Sequence, residues 1–245
     1  MKIIVILILL FSNIYSLKSQ SSSGNVEYKY KIDGSYINND LINNEKDENL
    51  KNTLIFLNSS LKNNQNKFVF TLNFNRYQSI YFMNKILNID NDRQMKYSII
   101  INRGKQTFYQ DNRNHYVIYK TNILGEEFNV ISSLYSIKWE LTREEKKIGN
   151  YKCYKAITFL NKKTKIEAWY SPEIPLSFGP KGFGGLPGLI IELKENNIIY
   201  YANKITLNKE KEFIIEFPEK EKIISKEKFD SIGKSTKYRL EKMSN

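Results

Sequence analysis

The chain has 245 residues, 38 Lys and Arg against 26 Asp and Glu, and a formal net charge of +12. Hydrophobic residues make up 41% of it and aromatic residues 13%, enough to build a packed core, which excludes a disordered polar chain. Its single cysteine, Cys153, excludes an intramolecular disulfide, so the core itself must supply stability.

The N-terminus reads as a secretory signal peptide over 1–19. Lys2 is followed by the apolar run Ile3 to Phe11 and then by Ser12, Asn13, Ser16, Ser19 and Gln20. The run is far shorter than the ~20 residues that span a bilayer. Export is therefore expected, to the periplasm or the cell exterior, with 20–245 as one mature domain. Removing Lys2 and Lys18 lowers the net charge from +12 to +10.

Val26, Tyr28, Tyr30 and Ile32 alternate with Glu27, Lys29 and Lys31, the period-two pattern of a half-buried strand. Residues 38–49 are polar and Asn-rich and read as a loop or insertion. Leu50, Leu54, Leu57 and Leu61 recur at helical spacing, which predicts an amphipathic helix over about 47–63, with Asp47 and Glu48 at its dipole-favoured end. Strand signals then follow at 68–74, 77–83, 97–101, 107–109 and 116–119. Ile137, Trp139 and Leu141 alternate in a further strand. Gly149-Asn150 is a hairpin-type pair, and 151–160 and 165–170 read as two strands. A second hairpin, 189–193 with 198–207, turns at Asn196-Asn197, and 213–217 adds a strand. The Lys/Glu-rich tail from about 225 to 243 is helical, with Gly233 its weak point. Many strands joined by short polar turns predict a mainly β (β-rich α+β) fold: a curved antiparallel sheet or open barrel with one or two peripheral helices.

The most informative segment is Ser171 to Leu193, SPEIPLSFGPKGFGGLPGLIIEL. Four of the five prolines lie in it, at 172, 175, 180 and 187, and glycines crowd 179–188. Such punctuation prescribes a backbone path. Leu186-Pro187-Gly188-Leu189 has Pro and Gly at the central positions of a type II turn. The segment enters a β-branched strand and lacks a Lys-Ser/Thr pair, which argues against a phosphate loop. Ile174, Leu176, Phe178, Phe183 and Leu186 instead suggest a flap over the apolar face of the sheet. Phe178, Phe183, Leu186, Pro187, Gly188 and Leu189 are the candidate contacts for a ligand or partner.

Gly185-Leu-Pro-Gly-Leu-Ile190 resembles the hexapeptide after which the GLPGLI family of Bacteroidota proteins is named. Trp139-Glu-Leu-Thr142, Ile148-Gly-Asn-Tyr151, Cys153, Lys155-Ala156, Ala168-Trp-Tyr-Ser-Pro-Glu-Ile-Pro175 and Phe178-Gly-Pro180 stand in the family's order. The resemblance covers roughly 138–195. It implies an exported protein and a lineage more than a mechanism, since the family has no established activity. The pattern through Trp139, Gly149, Tyr151 and Trp169 is also similar to LolA-like envelope carriers, an analogy of fold only.

Catalytic constellations are weak. His115 and Cys153 are the only His and Cys, too few for a familiar zinc site. Cys153, on an apolar strand, reads as a buried small hydrophobe, and His115 as an exposed loop residue. Glu140, Glu144, Glu167, Glu173 and Glu192 read as solvated or salt-bridged rather than as a glycosidase pair. Trp139 and Trp169 read as packing rather than as a sugar platform. No enzyme, cofactor or metal is expected. The lysines alternate with glutamates, as in 209–212 and 219–222, so the charge reads as composition bias, and nucleic acid is not the expected partner. The expected function is a non-enzymatic envelope module that binds a lipid, another hydrophobic ligand or a partner segment of an envelope protein. The alternative is a structural or accessory component of a cell-surface assembly.

Overall fold

The computed structural model describes residues 23–86, 92–123, 125–160, 163–208 and 213–243. The expected signal peptide, 1–19, lies outside them. Among the described residues twelve strands form one open sheet: β1 (Ser23–Ile32), β2 (Phe70–Asn75), β3 (Gln78–Met83), β4 (Thr107–Asp111), β5 (Tyr116–Ile123), β6 (Glu126–Ser133), β7 (Glu140–Ile148), β8 (Tyr151–Leu160), β9 (Thr164–Ser171), β10 (Leu189–Glu195), β11 (Ile198–Asn208) and β12 (Ile223–Ser225). Their spatial order is β12-β6-β5-β4-β3-β2-β1-β11-β10-β9-β8-β7, so β1 lies centrally and the ends do not pair. Neighbours are antiparallel except β12, which runs parallel to β6 at the edge. Bulges at Glu27/Tyr28, Leu141/Glu145 and Ile190/Glu192 break the ladders and bend the sheet.

The alternation of β1 is realised: Val26, Tyr28 and Tyr30 are fully buried while Glu27 and Lys29 stay half-exposed. Helix α1 (Asn39–Asn43) lies within the stretch expected to be loop. Helix α2 (Glu48–Asn64) starts where Asp47 accepts hydrogen bonds from the backbone N–H groups of Asn49 and Leu50. Helix α3 (Arg93–Ile101) replaces the strand expected at 97–101. The Asp92 carboxylate accepts from Met95 N–H at 2.9 Å and caps it, and Ser98 and Ile99 face inward while Tyr97 and Ile100 face out. A five-residue apolar run does not by itself distinguish strand from helix.

Two further expectations are corrected. Ile137 to Trp139 precede β7 rather than belonging to it. Residues 213–217 form no strand: Asn75 Nδ2 donates to the Phe213 carbonyl at 3.0 Å, and Phe217 packs on Tyr109 and Tyr116. The chain then adds β12 and the expected C-terminal helix, α4 (Lys226–Met243), whose Phe229 packs on Tyr119 and Phe128.

Phe70 stacks on Tyr81 with rings 1° from parallel, and Tyr28, Tyr200 and Phe108 surround that pair. This aromatic cluster is the floor on which the segment between β9 and β10 rests. No helix among the described residues is long and apolar enough to cross a membrane.

Candidate functional site

The 172–188 segment is a fixed flap. It leaves β9 at Ser171, and the Ile174 carbonyl accepts from Leu189 N–H at 2.9 Å, so the two ends of the flap are tied together. Tight three-residue turns centred on Pro175, Ser177 and Pro187 give it shape: Leu176, Phe178 and Gly188 N–H donate to the carbonyls of Ile174, Leu176 and Leu186 at 2.8–2.9 Å. The type II turn expected at Pro187-Gly188 is thereby corrected. Gly188 does not adopt positive φ, whereas Gly185 does, at 83°. The need for glycine at 188 is one of space: a Cβ there would lie 2.2 Å from the Ser171 carbonyl oxygen.

Ties run from the flap to both halves of the sheet. Ile190 N–H donates to the Phe178 carbonyl at 2.9 Å. Gln110 Nε2, from β4, donates to the Ser177 carbonyl at 2.8 Å. Trp139 Nε1 donates to the Gly184 carbonyl at 2.9 Å, and its ring meets Phe183 edge-on. Phe178, fully buried, stacks on Phe74.

Lys181 forms the polar heart of the flap, and reading the sequence did not single it out. It sits at φ 58° in the short 3₁₀ turn Pro180–Gly182, and its side chain is 2% exposed. Its ammonium pairs with Glu195 at the end of β10 and lies 4.9 Å from the centre of the Tyr200 ring. Arg103 Nη2 approaches the same carboxylate at 3.8 Å. Burial pushes the Lys181 pKa down to about 8 against the pull of Glu195. Burial also works to raise that of Glu195, but the charge and hydrogen bond of Lys181 prevail and hold it below the usual carboxylate range. Tyr200 Oη donates to Asn102 Oδ1 at 2.9 Å. Behind Asn102, Ser98 Oγ donates to the Ser60 carbonyl at 2.7 Å and Tyr30 Oη to the Leu61 carbonyl at 3.0 Å. A buried polar seam thus joins the helices to the flap.

Beside Lys181 opens a hollow of about 500 Å³, within the ~300–1,000 Å³ range of small-ligand sites. Phe108, Val117, Tyr119, Leu160, Phe183 and Phe229 make its apolar wall. Leu160 comes from the end of β8 and Phe108 from β4, seven places apart in the sheet, so the curvature of the sheet brings them together. Arg103, Gln106, Thr121 and Lys181 supply a polar corner, and Ser132, Ser133, Ser136 and Lys226 add further polar lining.

Of the six residues singled out by sequence, Phe183 lines this hollow. Phe178, Leu186 and Leu189 lie at 0–1% exposure in the core, where they hold the flap down rather than present it. Pro187 is exposed at the turn, and Gly188 lies against the Ser171 backbone.

The other candidates resolve into packing and ion pairs. Cys153 is fully buried, and burial raises its thiol to about 11, which suppresses the thiolate. His115 is exposed, its ring 4.7 Å from that of Tyr135 and tilted 33° to it. Glu144 and Glu167 pair with Lys155, and Glu192 with Lys146. Glu173 accepts from Lys152 N–H, and Glu140 is exposed. Trp169 lies between Lys146 and Lys155, 4.2 and 5.8 Å from its ring centre.

Residues 157–192 match a family model described as a protein of unknown function (Porph_ging). They comprise the end of β8, β9, the flap and the start of β10. The chain is similar in fold to PNGF-II in two crystal forms. The C2 form gives a TM-score of 0.50 at 17% identity over 83% of this chain, and the P21 form 0.50 at 18% over 84%. The chain spans 31% of the length of those proteins, and the likeness is one of fold alone. An uncharacterized conserved protein from Thermus thermophilus aligns over 85% of the chain and 93% of its own at 7% identity, with a TM-score of 0.37. No curated protein matches.

Proposed function

We propose that the protein is an exported, non-enzymatic binding module of the GLPGLI type that holds a hydrophobic ligand in the hollow behind the flap. The observation that carries the reading is the hollow itself. It is of ligand size, walled by aromatic and aliphatic side chains from β4, β5, β8, the flap and α4, with a polar corner at one end. The flap supports the reading because its shape is fixed by backbone turns and by ties to both halves of the sheet. A preformed wall binds without first ordering itself. The signal-like N-terminus is in keeping with an envelope protein.

Native mass spectrometry of the freshly purified mature chain tests the proposal. A small copurified mass that disappears in Phe229→Asp is the expected result. Repeated spectra of bare protein from several preparations count against it.

A structural or accessory role in a surface assembly is the second reading. It draws on the exposed apolar residues of the helical layer, Leu41, Leu50, Ile55, Tyr97 and Ile100. Affinity capture from envelope extracts tests it, and a variant with Leu50, Ile55 and Ile100 replaced by Ser should lose whatever partner the wild type retains.

A further inference from the structure

The polar corner of the hollow has a sign. Lys181 and Arg103 converge on the single carboxylate of Glu195, which leaves one positive charge in excess. Lys226 also lines the hollow, but its ammonium is paired with Asp230. The two cations have different tasks. Lys181 is sealed behind the flap and held by Glu195 and Tyr200. The Arg103 side chain is 45% exposed, and among the described residues its one ion-pair contact is the 3.8 Å approach to Glu195, too long for a hydrogen bond. A guanidinium carries five N–H donors in a planar fork that matches a carboxylate, so this edge of the hollow offers donors beyond what Glu195 takes up.

Gln106 lies beside Thr121 in the lining of the hollow. Its Nε2 donates to Thr121 Oγ1 at 3.2 Å, while its buried Oε1 has no hydrogen-bond partner. Rotating the amide by half a turn lets the Thr121 hydroxyl donate to the oxygen and satisfies it. The rest of the lining is aromatic and aliphatic apart from the neutral hydroxyl residues Ser132, Ser133 and Ser136 and the paired Lys226.

We infer that the hollow takes a single-chain fatty carboxylate, its head on Arg103 beside the Lys181–Glu195 pair and its chain along Phe108, Val117, Leu160, Phe183 and Phe229. This rests on the reading of the hollow as a hydrophobic ligand site and assigns that ligand its chemistry. A neutral chain of equal length fills the same wall but leaves the donors of Arg103 to water. A chain with a cationic head meets the excess positive charge and is rejected.

Calorimetric titration of the mature chain at pH 7 with dodecanoate, 1-dodecanol and dodecylammonium, each below its aggregation concentration, tests the inference. Dodecanoate should bind about tenfold more tightly than dodecanol, the worth of a charge-assisted hydrogen bond, and dodecylammonium should bind most weakly. Arg103→Gln should remove that preference, and its urea midpoint reports that the variant is folded. Arg103→Lys should restore part of it. Equal affinity for dodecanoate and dodecanol, or no effect of Arg103→Gln, overturns the carboxylate head and leaves the hydrophobic-ligand reading standing. No binding of any of the three chains overturns both.

Discussion

Replacing Phe178 with alanine tests whether the flap belongs to the folded core. The ring is fully buried and stacked on Phe74, 6.0 Å between centres. The backbone around it is tied on both sides: Phe178 N–H donates to the Leu176 carbonyl, and its own carbonyl accepts from Ile190 N–H. A site held in this way relaxes little into the space the ring leaves, so the loss should fall within the ~3–5 kcal/mol seen for buried Phe→Ala changes. Against a typical domain stability of ~5–15 kcal/mol that is a large fraction. In a chain of this size it corresponds to a fall in melting temperature of roughly 6–20 °C. Urea unfolding followed by tryptophan fluorescence is a suitable assay, because Trp139 donates to the flap at Gly184. The midpoint should fall with an unchanged slope. Pro187→Ala, at an exposed position, should cost less than about 1 kcal/mol. A Phe178→Ala loss as small as that of Pro187→Ala would refute the reasoning, since a flap outside the cooperative core could not wall a site.

Gly188→Ala forces a Cβ to within 2.2 Å of the Ser171 carbonyl oxygen, with backbone on both sides of the clash. Urea unfolding should show a loss of about 3 kcal/mol, the upper end of overpacking costs, and wild-type stability would contradict the close approach. Lys181→Met leaves the Glu195 carboxylate with only the longer 3.8 Å approach of Arg103 and should cost about 3 kcal/mol, whereas Lys181→Met with Glu195→Leu should recover most of that loss. A double variant no more stable than the single one would show that the pair does not account for the loss. Asp111 supplies a pH dependence. Burial works to raise its pKa, but donors from Gln78, Asn114 and Arg113 outweigh burial and hold the carboxyl below its ordinary range. A depressed carboxyl contributes stability that is fully present above its unfolded value and is lost as pH falls through the lower folded value. Asp111→Asn should therefore unfold at lower urea than wild type at pH 5, and the gap should close toward pH 2; a gap independent of pH would rule this out.

What was legible in the sequence was whatever depends on near neighbours. The alternation of Val26, Tyr28 and Tyr30 marks β1, and the spacing of Leu50, Leu54, Leu57 and Leu61 marks α2. The Pro/Gly crowding of 172–188 marks a defined path. Strand β6 escaped notice because only Phe128 and Val130 of its eight residues are buried, too few to establish a period. Helix α3 was obscured by its β-branched run Ile99-Ile-Ile101, although Asp92 three residues before Met95 is a capping signal. The hollow itself was not legible. It depends on sheet curvature that brings Leu160 and Phe108 to one hollow, a juxtaposition no local pattern encodes. Lys181 was hidden by the abundance of lysine in the chain. The one available signal was its position, a single cation amid proline, glycine and phenylalanine.

Nuclear Overhauser contacts between bound 1-dodecanol and the methyl groups of the mature chain test the account most directly. The hydrocarbon protons should show cross-peaks to the methyls of Val117, Ile137 and Leu160, which share the hollow although they lie on separate elements. Cross-peaks confined to the outward-facing Leu50, Ile55 and Ile100 of the helical layer would mean that the hollow is not where this protein takes hold of an apolar chain.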